Sequence, residues 1–245
     1  MSIQVVITMA GMGQRFRDAG YDLPKYMIPV RGKTLFAWAI ESLNSFIAEK
    51  ARFIFIARSA DEATTFIQTE CEQLGIQDYI VVEIDELTDG QATTAMFAAP
   101  HLTDKTSPFI IYNIDTHVDP NTLPFSAMRG GGWIPCFEGD GDGWSFVKTD
   151  AEGKAMEVRE KKRISPHATI GLYGFSSFDL YHQAYETYYK NPEHLEMKER
   201  YIAPLYNQLI QDGKAVFIHS VPKLAVIPLG TPEEVEQFTH VIARS

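Results

Sequence analysis

The amino-acid sequence predicts an α/β fold, a doubly wound sheet with a small β-hairpin and helical region in its second half, as a single domain over 1–245. Three observations predict it. Four near-continuous apolar runs of strand length fall within the first 113 residues, and stripes of apolar residues at helical spacing lie between them. Beyond residue 130 the pattern changes to short strands separated by Gly and Asp. Alternating strands and helices make a parallel sheet with right-handed crossovers, and strands cut by turn residues make hairpins.

Taken in order, "IQVVITM" (3–9), "RFIFIA" (52–57), "YIVVEI" (79–84) and "FIIYN" (109–113) read as strands buried on both faces. Phe36, Ile40, Leu43 and Ile47 line one face of a helix that begins near Thr34. Ala63, Phe66, Ile67, Cys71 and Leu74 line the next, whose start is marked by Ser59 and Glu62 as an S-x-x-E capping box. Cys71 on that apolar face reads as core filler. The stretch 130–162 predicts hairpins, and "ATIGLYGF" (168–175) one further strand. Tyrosine-rich helical segments run to about Gln211, followed by short strands at 215–221 and 224–229. Thr231, Pro232 and Glu234 open a last helix with a capping box and a proline in its first turn, and Val235, Phe238 and Ile242 supply its buried stripe.

Composition narrows the function. An apolar share of 45% against 22% charged residues is an ordinary globular balance, so a packed core is expected. No apolar run is long enough to span a bilayer, and the first ten residues lack the basic start of a signal peptide. The net charge of −10 argues against nucleic acid and acidic membrane as partners. It does not exclude an anionic small substrate, which local lysines and arginines would bind. Two cysteines without metal-type spacing fit a reduced, cytoplasmic protein. No histidine pair at i, i+4 with a nearby Glu marks a zinc site. A homo-oligomer stays open, with Trp38 on the first helix reading as core or interface.

The chemistry concentrates in "MAGMGQRF" (9–16), a glycine loop directly after a strand, where open α/β sheets bind ligands. A dinucleotide fingerprint would carry a third glycine at Phe16, and no Gly-Lys-Ser/Thr follows as in a P-loop. Gly11 and Gly13 let backbone amides approach phosphate oxygens, and Arg15 offers a fork for two of them. In "PKYMIPV" (24–30), Lys25 sits on a segment stiffened by Pro24 and Pro29, which makes it a positioned charge. "GK" follows at 32–33. Asp140 and Asp142 form a D-x-D, but in a Gly-rich stretch where a turn is the simpler explanation.

Together these segments resemble the nucleotidyltransferase family that makes nucleotide-sugars from a nucleoside triphosphate and a sugar 1-phosphate. The resemblance spans nearly the whole chain: "ITMAGMGQRF", "PKYMIPVRGKTLF", "DGQATTAMFAA" (89–99), "NID" (113–115), "EVREKKRIS" (157–165), "IGLYGF" (170–175) and "LGTPEEVEQF" (229–238). It implies a Rossmann-like, glycosyltransferase-A-like mixed sheet, with a nucleotide-binding half at 1–118 and an acceptor-binding half at 119–245. It implies that Ala10, Gly11, Met12, Gly13 and Gln14 hold the triphosphate, with Asp85 and Gly90 beside the base. Arg15 would grip the leaving pyrophosphate and Lys25 the α-phosphate as catalytic residues. Asn113, Glu160, Lys161 and Gly171 would bind the phosphorylated acceptor, and Asp115 would hold Mg²⁺.

Departures accompany the likeness. Gln14 stands where the family usually has Thr or Ser, Lys162 where proline follows the Glu-Lys pair, and Pro228 where many members place a second metal aspartate; Asp119 is an alternative ligand. Asp85 stands where uridine- and thymidine-selective members often have Gln. A carboxylate only accepts hydrogen bonds, so CTP is expected over UTP or dTTP. Two other functions compete. One is a cytidylyltransferase acting on a non-sugar phosphate, phosphocholine-like or a phospho-amino acid, with tyrosines from 173 to 206 furnishing a cation pocket. The other is a nucleotide-sugar-binding module or glycosyltransferase without pyrophosphorylase activity, against which Arg15 and Lys25 argue.

Overall fold

β-Branched and aromatic residues on both pleats make the first apolar run β1 (Gln4–Thr8), with Val5, Val6 and Ile7 fully buried. A computed structural model describes residues 2–195 and 199–240. After the glycine loop come a short helix, α1 (Gln14–Asp18), and a hairpin of β2 (Pro29–Val30) and β3 (Lys33–Thr34). Thr34 then caps α2 (Leu35–Glu41), its Oγ1 accepting from Ala37 N at 3.0 Å. The single helix expected here is two, α2 and α3 (Asn44–Ala48). The break falls where the buried Ser42 Oγ accepts from the backbone N–H of Val118 at 2.8 Å. Phe36, Ile40 and Leu43 are nonetheless fully buried.

β4 (Arg52–Arg58) leads to a 3-10 turn at Ser59–Asp61, and α4 starts only at Thr64 (Thr64–Leu74). The expected Ser59–Glu62 capping box does not form. Ser59 Oγ instead donates to Asp85 Oδ1 at 2.7 Å, and Glu62 takes a left-handed φ of 47°. Cys71 is core filler as expected, its thiol pushed up to about 12 by burial. β5 (Tyr79–Ile84) is the sheet edge and is only half-buried, although its sequence resembles that of the central strands.

α5 (Gln91–Met96), β6 (Phe109–Asn113) and β7 (Thr116–Val118) follow. Of the hairpins expected over 130–162 the structure forms one, β9 (Ser145–Thr149) with β10 (Ala155–Glu160), while β8 (Gly132–Glu138) pairs with later strands instead of β9. "ATIGLYGF" is two strands rather than one, β11 (His167–Thr169) and β12 (Leu172–Phe175), parted at Gly171 with φ 79°. A Cβ there would come within 2.7 Å of Asn113 Nδ2, so the kink accommodates a side chain of the site. α6 (Phe178–Tyr188), α7 (Leu205–Gln211), β13 (Val216–Ser220), β14 (Val226–Pro228) and α8 (Pro232–His240) complete the described chain. The capping box of α8 closes reciprocally: Glu234 N donates to Thr231 Oγ1 at 3.2 Å, while Gly230 N and Thr231 N donate to Glu234 Oε2. Ile242, expected on its stripe, lies outside the described residues.

Among the described residues a ten-stranded mixed sheet runs β10-β9-β11-β8-β12-β6-β1-β4-β5, with β13 parallel to β8. β6, β1, β4 and β5 are mutually parallel, and β12 joins β6 antiparallel. Alternate residues feed two cores. Val5, Ile7, Phe53 and Phe55 pack under α2 to α4, and Val6, Ile54, Ile56 and Ile111 face α5 to α7. A third, smaller cluster joins Phe16, Ile28, Val30 and Leu35 to Leu229, Val235 and Phe238. It fastens the glycine-loop segment to the closing helix.

Candidate active site

From β1 the chain moves to β4 and β5 on one side, then returns to β6 on the other. The crevice between the ends of β1 and β6 is therefore a topological switch point, where open sheets bind ligands. A cavity of about 640 Å³ opens there, a size suited to small-molecule ligands. Ala10, Gly11 and Met12 form one wall, and Asn113 and Asp115 line the neighbouring strand end.

The missing third glycine has a structural explanation. Phe16 is 1% exposed and meets Tyr21 edge-to-face, so the position anchors the loop in the third cluster. Gly13, at φ 62°, caps α1 beside the Lys25 side chain. Arg17 Nε donates to Met12 O at 3.1 Å and holds the loop from outside. Gln14 and Arg15 face solvent on α1 and do not line the cavity. Gln14 Nε2 donates to Asp18 Oδ1 at 2.6 Å, whereas the Arg15 guanidinium has no hydrogen-bond or ion-pair partner among the described residues.

Lys25 reaches the cavity from a 3-10 turn after Pro24. The next residue, Tyr26, is buried, and its hydroxyl donates to Asp61 Oδ2 at 3.1 Å. Burial, reinforced by Asp61, holds that hydroxyl far above its ordinary pKa. Lys25 Nζ then meets Asp115 Oδ2 at 3.0 Å, with side chains 20% and 32% exposed. Asp115 is held in turn by its carbonyl, which accepts from Leu229 N at 2.8 Å.

Asp115 is a partly exposed hard-oxygen donor that lines the cavity, as Mg²⁺ binding through one carboxylate plus substrate phosphates requires. Pro228 pairs with Thr116 and offers no side-chain ligand. Asp119 Oδ1 is taken by the backbone N–H and side-chain amide of Asn121. Among the described residues no group of three or more His, Cys, Asp or Glu stands ready for a metal. Asp140 binds Lys223 at 2.6 Å and Asp142 meets Arg163, so the D-x-D is a salt-bridged turn.

Gly90 lines the cavity at φ 144°, and a Cβ there would collide with the Arg200 carbonyl. Arg200 N donates to Asp89 O at 2.8 Å and its carbonyl accepts from Ala92 N at 2.9 Å, so residues 199–200 strap the start of α5. Asp85 lies outside the lining, turned to Ser59. Glu160 and Lys161 also lie outside it. Glu160 accepts from Ser145 Oγ, and Lys161 Nζ donates to Tyr201 Oη at 3.2 Å from above the ring. Gly171 acts through Asn113, which packs on it. Of the lining residues to which the sequence assigns no role, Gln91 lies within the 89–99 segment, whereas Leu87, Thr88 and Glu199 lie in no motif.

No family model matches the chain. It is 35% identical to the nucleoside-diphosphate-sugar pyrophosphorylase from Vibrio cholerae, whose crystal structure superposes with a TM-score of 0.90 over 96% of this chain and 99% of that one. The inositol-1-phosphate CTP transferase from T. maritima, 16% identical, shares the fold at a TM-score of 0.73 over 95% of this chain and 91% of its own. Bifunctional protein GlmU of Pseudomonas fluorescens is 26% identical over 166 residues, 66% of this chain. The match spans only 34% of that curated relative's length.

Proposed function

The chain belongs to the nucleoside-diphosphate-sugar pyrophosphorylase family of nucleotidyltransferases, and from that premise we propose that it transfers a nucleoside monophosphate from a triphosphate to a sugar 1-phosphate. An oxygen of the acceptor phosphate attacks the α-phosphorus in line. The new P–O bond forms as the bond to the β-phosphate breaks, and pyrophosphate leaves. No covalent enzyme intermediate is needed, so the residues contribute position and charge. The amides of the glycine loop hold the phosphate chain, and Lys25 neutralises the α-phosphate as charge shifts. Arg15, its guanidinium unpaired on α1, turns over the loop to take the leaving pyrophosphate. Asp115 holds Mg²⁺, which when bound screens phosphate charge and orients the triphosphate. The product, an activated sugar, suits polysaccharide biosynthesis. Both cysteines are free and buried, which suits the cytoplasm, and no described helix is long and apolar enough to cross a membrane.

The observation that carries the proposal is the Lys25–Asp115 pair beside the glycine loop at the switch point. Asp85 bonds Ser59 through one carboxylate oxygen, and comparison of CTP with UTP and dTTP tests the preference for CTP expected from it. Of the tyrosines that would furnish a pocket for a choline-like acceptor, Tyr173, Tyr181, Tyr185, Tyr188 and Tyr206 are buried in the second core, Arg200 lies over the Tyr189 ring and Lys161 over that of Tyr201. The test is pyrophosphate release with Mg²⁺ across UTP, dTTP, CTP and ATP against sugar 1-phosphates and choline phosphate. Release with a sugar 1-phosphate is expected. Release only with choline phosphate would favour the non-sugar acceptor, and none with any pair would favour a binding module.

A further inference from the structure

Gln91 has no role in the transfer just described, yet it stands at the centre of the crevice. Thr8 and Asn113 are register partners on β1 and β6, the strands between which the sheet order reverses. Gln91 Nε2 spans them, giving one hydrogen to Thr8 Oγ1 at 2.9 Å and the other to Asn113 Oδ1. Its backbone is fixed by the strap at Arg200, which bonds Asp89 before it and Ala92 after it. Asn113 is fixed as well, its N–H donating to Gly171 O at 3.0 Å and its side chain packed on that glycine. With both amide hydrogens spent, Oε1 is the polar atom that Gln91 offers to the cavity it lines. Neither this oxygen nor Asn113 Nδ2 has a side-chain or backbone partner among the described residues.

We propose that Gln91 is a specificity-determining residue, its Oε1 accepting a hydrogen bond from a substrate hydroxyl while Asn113 Nδ2 donates to a neighbouring oxygen. An amide tied at both hydrogens is not free to flip and present a donor, so it selects substrate groups that can donate. The inference rests on the transfer reading, which supplies two sources of hydroxyl: the ribose of the triphosphate and the ring of the sugar phosphate.

Equilibrium binding by calorimetry tests it without depending on turnover. The probes are CTP and UTP with their 2′- and 3′-deoxy forms, and glucose 1-phosphate with its 2-, 3- and 4-deoxy forms, the sugars in the presence of a non-hydrolysable triphosphate. Wild-type protein should bind one deoxy probe about five- to tenfold more weakly than its parent, the usual worth of one hydrogen bond. Gln91→Met should bind the parent correspondingly more weakly and no longer distinguish the two. The arm that shows the loss identifies ribose or sugar. Gln91→Glu keeps an acceptor oxygen and should keep the preference, provided both variants melt as the wild type does. Equal parent-to-deoxy ratios in wild type and Gln91→Met, or no deoxy penalty in the wild type, overturn the assignment. Binding with this preference but no pyrophosphate release would overturn the transfer and leave Gln91 its role.

Discussion

Lys25 Nζ and Asp115 Oδ2, 3.0 Å apart, are two charges that the proposed reaction uses separately. A triphosphate that draws Lys25 to its α-phosphate has to break this pair, and a cation on Asp115 helps break it, so the two binding events are coupled. Asp115→Asn should therefore flatten the Mg²⁺ dependence of pyrophosphate release while triphosphate still binds; an unchanged dependence would move the cation elsewhere. Lys25→Ala should lower turnover by about two to three powers of ten, as loss of one charge-stabilising group does, and so should Arg15→Ala if it reaches the leaving group. A loss below roughly tenfold, about 1.4 kcal/mol, would remove the residue concerned from the mechanism. Lys25 and Asp115 were legible because each sits in a short local motif. Gln91 and Glu199 were not, since strand register and a strap from the other half bring them to the cavity. Asp85, one residue past a strand end, is drawn to Ser59 by a contact that no local motif marks.

Between elements, the packing of β7 on α2 carries a titratable group. His117 Nδ1 lies 2.6 Å from Trp38 O, its ring edge-on to Trp38. Burial holds the imidazole below its ordinary pKa, and Lys33 acts the same way; the Trp38 carbonyl, Glu41 and Asp119 oppose it. The folded protein thus keeps the neutral ring, while the unfolded chain takes a proton below about pH 6.5. Stability is expected to fall as pH drops from 6.5 through the lower folded value, and His117→Asn should remove part of that slope in urea midpoints taken at pH 7.5 and 5.5. At the C-terminal side, Thr231→Ala should cost about 1 kcal/mol by loss of the α8 cap, read by urea denaturation. Because α8 packs on the cluster containing Phe16 and Ile28, the same change should weaken triphosphate binding more than acceptor binding. The α8 cap was legible since its partners are three residues apart, while the Ser59–Glu62 match was local in sequence only. The split at Gly171 was hidden because its cause, Asn113, lies on another strand.

For the whole molecule, runs such as "QVVIT" and "RFIFIAR" announced the parallel strands, and Gly and Asp turns announced the β9–β10 hairpin but not the pairing of β8 with strands further along the chain. What those runs lacked was any mark of neighbours: edge strand β5 reads like the central ones. The net charge of −10 likewise describes the surface rather than the crevice, where Lys25 is positioned. The sheet also governs how the enzyme moves. Its hydrogen-bonded strands pass without interruption from β5, through β6 and β12, to β9 and β10. A continuous ladder of this kind leaves no place for a hinge, so substrates are enclosed by small parts moving over a stiff frame. Small-angle scattering should therefore show the same radius of gyration with and without triphosphate, whereas hydrogen exchange should slow at 9–20 and 87–92. Measurable contraction of the particle would mean that the frame itself bends.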